Sequence, residues 1–180
     1  MDETRQLIFE AQAGNQTALN QLFRNWYGRV YNTAYKYFSD AALAKEVSQQ
    51  TFVVVQEKLG QLRDLANFKV WLYRITMNQC HEQIRKQKTR SNYEEKYGQL
   101  TMISALKSPD TLYENNEQAQ LIMRAIQRLP EEQRTVLIMK EYEGLKFREI
   151  ADTLDISENT AKSRLYYGLK ALRKMDIFNR

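Results

Sequence analysis

The sequence predicts an all-α chain of two small helical domains joined by a flexible linker, and three observations carry that reading. Only two prolines and six glycines punctuate the 180 residues, while Leu, Ala, Glu, Gln, Lys and Arg dominate, which favours long helices over many short strands. Apolar residues recur at three- and four-residue spacings, the period of an amphipathic helix face. Between about residues 87 and 116 that period stops: the stretch mixes Lys, Ser, Tyr, Glu and Asn and contains Pro109. The expected boundaries are therefore an N-terminal domain over 1–88, a linker over 89–116 and a C-terminal domain over 117–180.

The first expected helix covers 15–38, starting at the polar run Asn15, Gln16 and Thr17, with Leu19, Leu22, Phe23, Trp26, Val30, Tyr31 and Ala34 on one wide apolar face. After a break at Ser39 and Asp40, a second runs from about 41 to 59. Its stretch Thr51 to Val55 has high β propensity, but it neither alternates nor is bounded by turn residues, so it reads as helix. Gly60 ends it, and a short loop over 61–67 leads into a third helix from Phe68 to about Lys88.

The C-terminal part holds four shorter patterns. Leu121, Ile122, Ala125, Ile126 and Leu129 form one stripe, and Pro130, Glu131 and Glu132 open the next helix with proline in its first turn and acids at its positive end. Gly144 closes that helix. Phe147, Ile150, Ala151 and Leu154 make a third, Asp155 and Ile156 a tight connection, and Ser157 the N-cap of a fourth. This is a helix-turn-helix.

Charge and composition narrow the partner. The formal charge of +5 and a pI near 9.2 favour an acidic partner such as nucleic acid. Cys80 is the only cysteine, so no internal disulfide forms, and no second ligand stands near His81 to complete a zinc site. No metal or other cofactor is expected. The chain opens Met-Asp-Glu-Thr-Arg-Gln without a basic leader and apolar run, and no segment has the roughly 20 apolar residues a bilayer span requires. A cytoplasmic location without membrane insertion is the expectation.

Two helices carry basic stripes. In the last, Ala161, Leu165, Gly168, Leu169 and Leu172 fall on one side, and Asn159, Lys162, Ser163, Tyr166, Lys170 and Arg173 on the other. Lysine donates to guanine or phosphate, asparagine pairs with adenine and serine serves either, so this side suits a major groove, with the helix N-terminus adding N–H groups for phosphate. In the third helix of the N-terminal half, Tyr73, Met77, Cys80 and Ile84 keep the apolar period, with Trp71 and Cys80 expected to pack. Arg74, Asn78, His81, Arg85 and Lys88 form a second stripe along which a single or opened strand would lie.

The two basic helices and their order resemble the extracytoplasmic-function group of the bacterial sigma-70 family of RNA polymerase sigma factors. Ala44 to Phe52 (AKEVSQQTF) is similar to that family's polymerase-binding helix, Phe68 to Ile84 with its WLYRITMNQ core to the promoter-melting helix, and the stretch LPEEQRTVLIMKEYEGLKFREIADTLDISENTAKSRLYYGLKALRK to the fourth sigma region. The resemblance implies a non-enzymatic subunit that binds core RNA polymerase and promoter DNA and is controlled by an anti-sigma factor. Glu46, Gln49, Gln50 and Phe52 would meet the coiled coil of the largest polymerase subunit, although Lys45 and Gln50 stand where carboxylates are commoner in the family. Loop 61–67 and the helix start, with Asn67 and Phe68, would hold an extruded base of the −10 element, with Asn78 on a base and Arg74, Arg85 and Lys88 along the strand. Asn159, Thr160, Lys162, Ser163, Arg164 and Tyr167 would read or position the −35 element as duplex.

The competing reading is a stand-alone helix-turn-helix regulator with a helical sensing or dimerisation domain, which binds its duplex without polymerase. An enzyme acting on nucleic acid is disfavoured. The sequence has no paired-carboxylate metal motif, no phosphate-cradling glycine loop and no nucleophile-histidine arrangement.

Overall fold

The computed structural model describes residues 2–97 and 117–175, and within them the fold is all-α, with eight α-helices. Residues 98–116, which hold most of the expected linker, lie outside the described residues.

The first helix, α1 (Glu3–Gln12), is absent from the sequence reading, because a short polar segment with few apolar positions carries no strong period. Its one fully buried residue, Ile8, docks it on the N-terminal core. Gln12 Nε2 donates to Leu59 O at 2.8 Å and to Leu62 O at 2.9 Å, tying α1 to the entry of loop 61–67.

Helix α2 (Gln16–Phe38) starts as expected, with the Asn15 side chain accepting from the N–H groups of Thr17 and Ala18. It stops at Ser39, in the left-handed region at φ 52. Asp40 then caps α3 (Ala41–Lys58) by accepting from Leu43 N at 2.9 Å. The Thr51 to Val55 stretch is helical, because Ala44, Val47, Thr51, Phe52 and Val55 recur on one face and burying them outweighs local β preference. Ser48 and Thr51 enter the core without stranding a hydroxyl, since each donates to the carbonyl four residues back.

Two single 3₁₀ turns, Leu59–Gln61 and Leu65–Asn67, shape loop 61–67 before α4 (Phe68–Tyr97). That helix runs nine residues past Lys88, where the sequence loses its apolar period, because backbone hydrogen bonding extends a helix without needing an apolar face to bury. Leu22, Trp26, Val30, Phe52, Val55, Phe68, Leu72 and Ile75 form the N-terminal core.

The C-terminal half comprises α5 (Glu117–Gln127), α6 (Glu131–Leu137), α7 (Phe147–Leu154) and α8 (Glu158–Arg173). Helix α6 continues into a π-helical turn, Ile138–Tyr142, marked by a bond from Glu143 N to Ile138 O at 3.2 Å. Gly144, at φ +65, makes the bend after it. Helix α7 opens with Glu149 accepting from Lys146 N at 2.6 Å and closes on Asp155 in the left-handed region. A glycine at 168 lets α8 lie close to α6, since a Cβ there would meet Gln133 Cβ at 3.4 Å.

The halves do not stand apart. A second cluster joins Ala34, Tyr37, Tyr73, Met77 and Cys80 of the first to Ile126, Leu129, Val136, Met139, Leu145 and Ile150 of the second. Arg134 clamps the seam: its guanidinium donates to Tyr37 O, Gln127 O and Leu129 O and lies 5.2 Å from the Tyr37 ring centre.

Candidate nucleic-acid interface

Helix α8 presents the face the spacing predicts. Ala161, Leu165, Gly168 and Leu172 are buried, while Asn159, Lys162, Ser163, Tyr166, Tyr167 and Lys170 are exposed. Ser157 Oγ accepts from Thr160 N at 3.0 Å and fixes the start of the helix three residues after α7 ends. Tyr166 is 61% and Tyr167 56% exposed, so both rings face solvent and neither completes the core. An exposed row of amide, hydroxyl, ammonium and phenol groups, rigid and following a tight turn, has the chemistry and dimensions to enter a major groove.

Helix α4 offers the second surface. Arg74 and Asn78 are exposed on it, and with His81 they line an open crevice of about 500 Å³ whose other wall is Thr153, Leu154 and Asp155 at the end of α7. Arg74 Nε donates to Thr153 O at 3.3 Å, and Lys88 Nζ lies 3.6 Å from Glu131. Arg85 pairs with Glu82. On α3, Glu46, Gln49 and Gln50 are exposed together, and Glu46 accepts from Gln83 of α4 at 3.2 Å.

Comparison with known proteins bears on both surfaces. Sigma-70 region 2 matches residues 22–90 and sigma-70 region 4 matches residues 119–172, which between them hold α4 from its start and nearly all of α8. The RNA polymerase sigma-H factor of Pseudomonas aeruginosa is 26% identical, over 96% of this chain and 93% of its own length. The extracytoplasmic-function sigma factor SigW of Bacillus subtilis is 28% identical, over 93% of each chain. The chain belongs to the extracytoplasmic-function sigma factors of the sigma-70 family.

As a sigma factor it directs RNA polymerase to promoters at transcription initiation. Its fold is that of solved relatives: RpoE of Bartonella quintana, solved with the anti-sigma factor NepR, superposes with a TM-score of 0.74 at 20% identity, covering 89% of this chain and 98% of that one. CnrH, solved with the cytosolic domain of CnrY, gives 0.67 at 21% identity and 96% coverage of each. Among the described residues of this sigma factor no helix is long and apolar enough to cross a membrane.

Three residues expected at binding surfaces sit elsewhere. Phe68 is 2% exposed, edge-on to Trp26 with ring centres 5.3 Å apart, so it supports the loop from inside and offers no ring to a base. Phe52 is 7% exposed beneath Phe23 and Tyr27, and its contribution to the α3 surface is to hold it in shape. Arg164 turns back to Glu132 on α6 at 3.0 Å with its side chain 23% exposed, off the row made by Lys162 and Ser163. All three have the same cause: at those helical positions the core or an acidic neighbour is nearer than the outward-facing side. Asn67 is exposed but is held by Asp64, whose carboxylate accepts from Asn67 Nδ2 at 2.7 Å.

Sequence reasoning missed the seam itself. Glu143 reaches across it to Thr33 and Tyr73, contacts that span 110 and 70 residues and leave no local signature. His81 also belongs there, its Nε2 3.2 Å from Thr135 Oγ1 and 3.8 Å from Glu131. Burial lowers its pKa from 6.5, opposed by the Glu131 carboxylate and aided by Arg85. A group whose folded-state pKa lies below its unfolded value resists protonation when folded, so its contribution is complete above pH 6.5 and declines as pH falls below it. The melting temperature is expected to fall between about pH 7.5 and about pH 5.5, and His81→Gln to flatten that slope. An equal slope in the variant would remove His81 as its source.

Proposed function

We propose that the three surfaces act in one initiation complex. Exposed Glu46, Gln49 and Gln50 on α3, stiffened by Phe52 below, dock on core RNA polymerase. Loop 61–67 and the α4 face with Arg74, Asn78, Arg85 and Lys88 receive the opened −10 strand, and Asn159, Thr160, Lys162, Ser163 and Tyr167 of α8 lie in the −35 major groove. The observation that carries the reading is the exposed row on α8 following a three-residue turn. Extruding a base from a duplex costs about a few kcal/mol, which favours a rigid loop beside a basic track.

In this reading the chain supplies binding surfaces while the polymerase performs the chemistry, and it works in the cytoplasm with the chromosome. An anti-sigma protein is the proposed controlling partner, since the relatives RpoE and CnrH were each solved with a bound protein, in the first case an anti-sigma factor.

The test is transcription in vitro with core polymerase, the purified chain and a genomic promoter library, mapping RNA 5′ ends. New starts sharing two spaced upstream elements are the expected result. No new starts, with no association with core, would favour the stand-alone regulator. Within a responding promoter, Asn78→Ala is expected to change base preference at one −10 position. Equal weakening on every sequence would make Asn78 a backbone contact.

A further inference from the structure

The Glu143 carboxylate is held by the N-terminal half in a way that resembles recognition of an oxyanion. Its side chain is 9% exposed. One oxygen lies 2.7 Å from Thr33 Oγ1 and 4.0 Å from Lys36 Nζ, and the other accepts from the Tyr73 hydroxyl. Lys69 Nζ donates to the Glu143 backbone carbonyl at 2.6 Å. Two hydroxyls and two ammonium groups, from α2 and α4, thus converge on one acidic residue that the π-helical turn after α6 delivers. Thr33 and Tyr73 are 0% and 1% exposed with Glu143 in place; when it is withdrawn, Tyr73 and the two lysines lose an oxygen partner, while Thr33 Oγ1 keeps the Arg29 carbonyl at 2.8 Å. Buried polar groups are costly without a partner, and these donors require an oxygen acceptor.

The seam also engages two cations of the proposed strand track. Arg74 Nε bonds to Thr153 O, and Lys88 pairs with Glu131, so a DNA strand on α4 must displace the C-terminal half from both. Displacement withdraws Glu143. Lys69 and Tyr73 stand five residues before Arg74 and Asn78 on α4, about 140° around the helix, and Lys69 lies in its first turn, so a strand leaving loop 61–67 meets Lys69 before it reaches the Arg74 and Asn78 stripe.

We propose that Thr33, Lys36, Lys69 and Tyr73 form a binding site for a backbone phosphate of the opened promoter strand, occupied in the closed chain by the Glu143 carboxylate as a stand-in. The proposal rests on the assignment of α4 to the opened strand. A phosphate offers the acceptor oxygens that two hydroxyls and two ammonium groups require. Exchange of one anion for the other couples strand binding to separation of the halves, because each excludes the other from one site.

The test measures binding of a labelled single-stranded oligonucleotide to the full-length chain by anisotropy, over a series of salt concentrations. Glu143→Gln is expected to tighten binding several-fold, since the competing charge is gone. Adding Lys36→Ala and Lys69→Ala to that variant is expected to return affinity to or below the original value. The slope of log affinity against log salt should then shrink by about 0.7 for each phosphate no longer neutralised. Unchanged affinity in Glu143→Gln, or an unchanged slope after the two lysine substitutions, would overturn the site, provided circular dichroism shows the variants folded. Thr33→Val, which keeps shape and removes only the hydroxyl, supplies a further variant that should weaken binding in the Glu143→Gln background. Transcription with core polymerase separates the two layers. Promoter-dependent starts with an unchanged oligonucleotide slope would sink the phosphate site alone, whereas a strand that crosslinks nowhere on α4 in the initiation complex would sink the assignment beneath it.

Discussion

Lys162→Glu is expected to abolish transcription from a two-element promoter while association with core polymerase stays intact. Lys162 stands in the middle of the exposed row on α8, its side chain 52% exposed and its ammonium 4.0 Å from Glu158. An exposed pair of that kind adds little to folding, so the substitution leaves the domain standing. At the groove the change is large: a donor to guanine or phosphate becomes a carboxylate facing the most negative surface in the complex. Removing one such interaction costs about 1–3 kcal/mol, and added repulsion brings duplex affinity down by roughly a hundredfold or more. Promoter-duplex binding and run-off transcription, read beside co-purification with core polymerase, check it. Failure to co-purify would mean that α8 serves another purpose. Arg164→Ala is the comparison. With its guanidinium 3.0 Å from Glu132, it should weaken promoter binding far less.

Leu72→Ala is expected to carry the largest stability cost. Leu72 is fully buried in the N-terminal cluster, on the helix that also holds Arg74 and Asn78. Truncating a buried leucine costs about 2–5 kcal/mol, made of forfeited transfer energy and the void left behind. Against a urea slope of about 1–3 kcal/mol/M, the midpoint of unfolding should move down by roughly 1–2 M with the slope unchanged. Val53→Ala deletes apolar atoms from a position 49% exposed on α3 and should leave the midpoint nearly in place. Equal shifts in the two variants would show that Leu72 is less tightly packed than its burial implies.

What the sequence discloses and what it conceals divide along contact range. The buried faces of α2 and α8 follow from three- and four-residue spacing alone, and Asn15 and Ser157 cap where their chemistry says they should. Local patterns also place the exposed row, because exposure at Asn159, Lys162 and Ser163 is the complement of burial at Ala161 and Leu165. Phe68 and Arg164 escape this logic: which way each side chain turns depends on Trp26 and Glu132, far away in sequence. The π-helical turn has no composition of its own, since one additional residue per turn costs nothing that a string of residue types displays. The seam is hidden for a further reason. Met77 and Cys80 read as the apolar side of a self-contained amphipathic helix, and periodicity does not say which half of the chain covers that side.

The bridge from Gln12 to the two carbonyls of Leu59 and Leu62 reaches further than its place in α1 suggests. A loop that must grip one unpaired base gives up conformational freedom in doing so, about 1–2 kcal/mol for each backbone position it fixes. Here much of that freedom is already gone: Gln12 pins the entry, while Asp64 holds Ala66 N and the Asn67 amide at the exit. In the role proposed for this loop, the base would meet a receptor whose ordering was completed during folding, and more of the contact energy would be left to distinguish one base from another. On that proposal, a polar helix away from the α4 strand track would take a share in sequence discrimination through entropy alone.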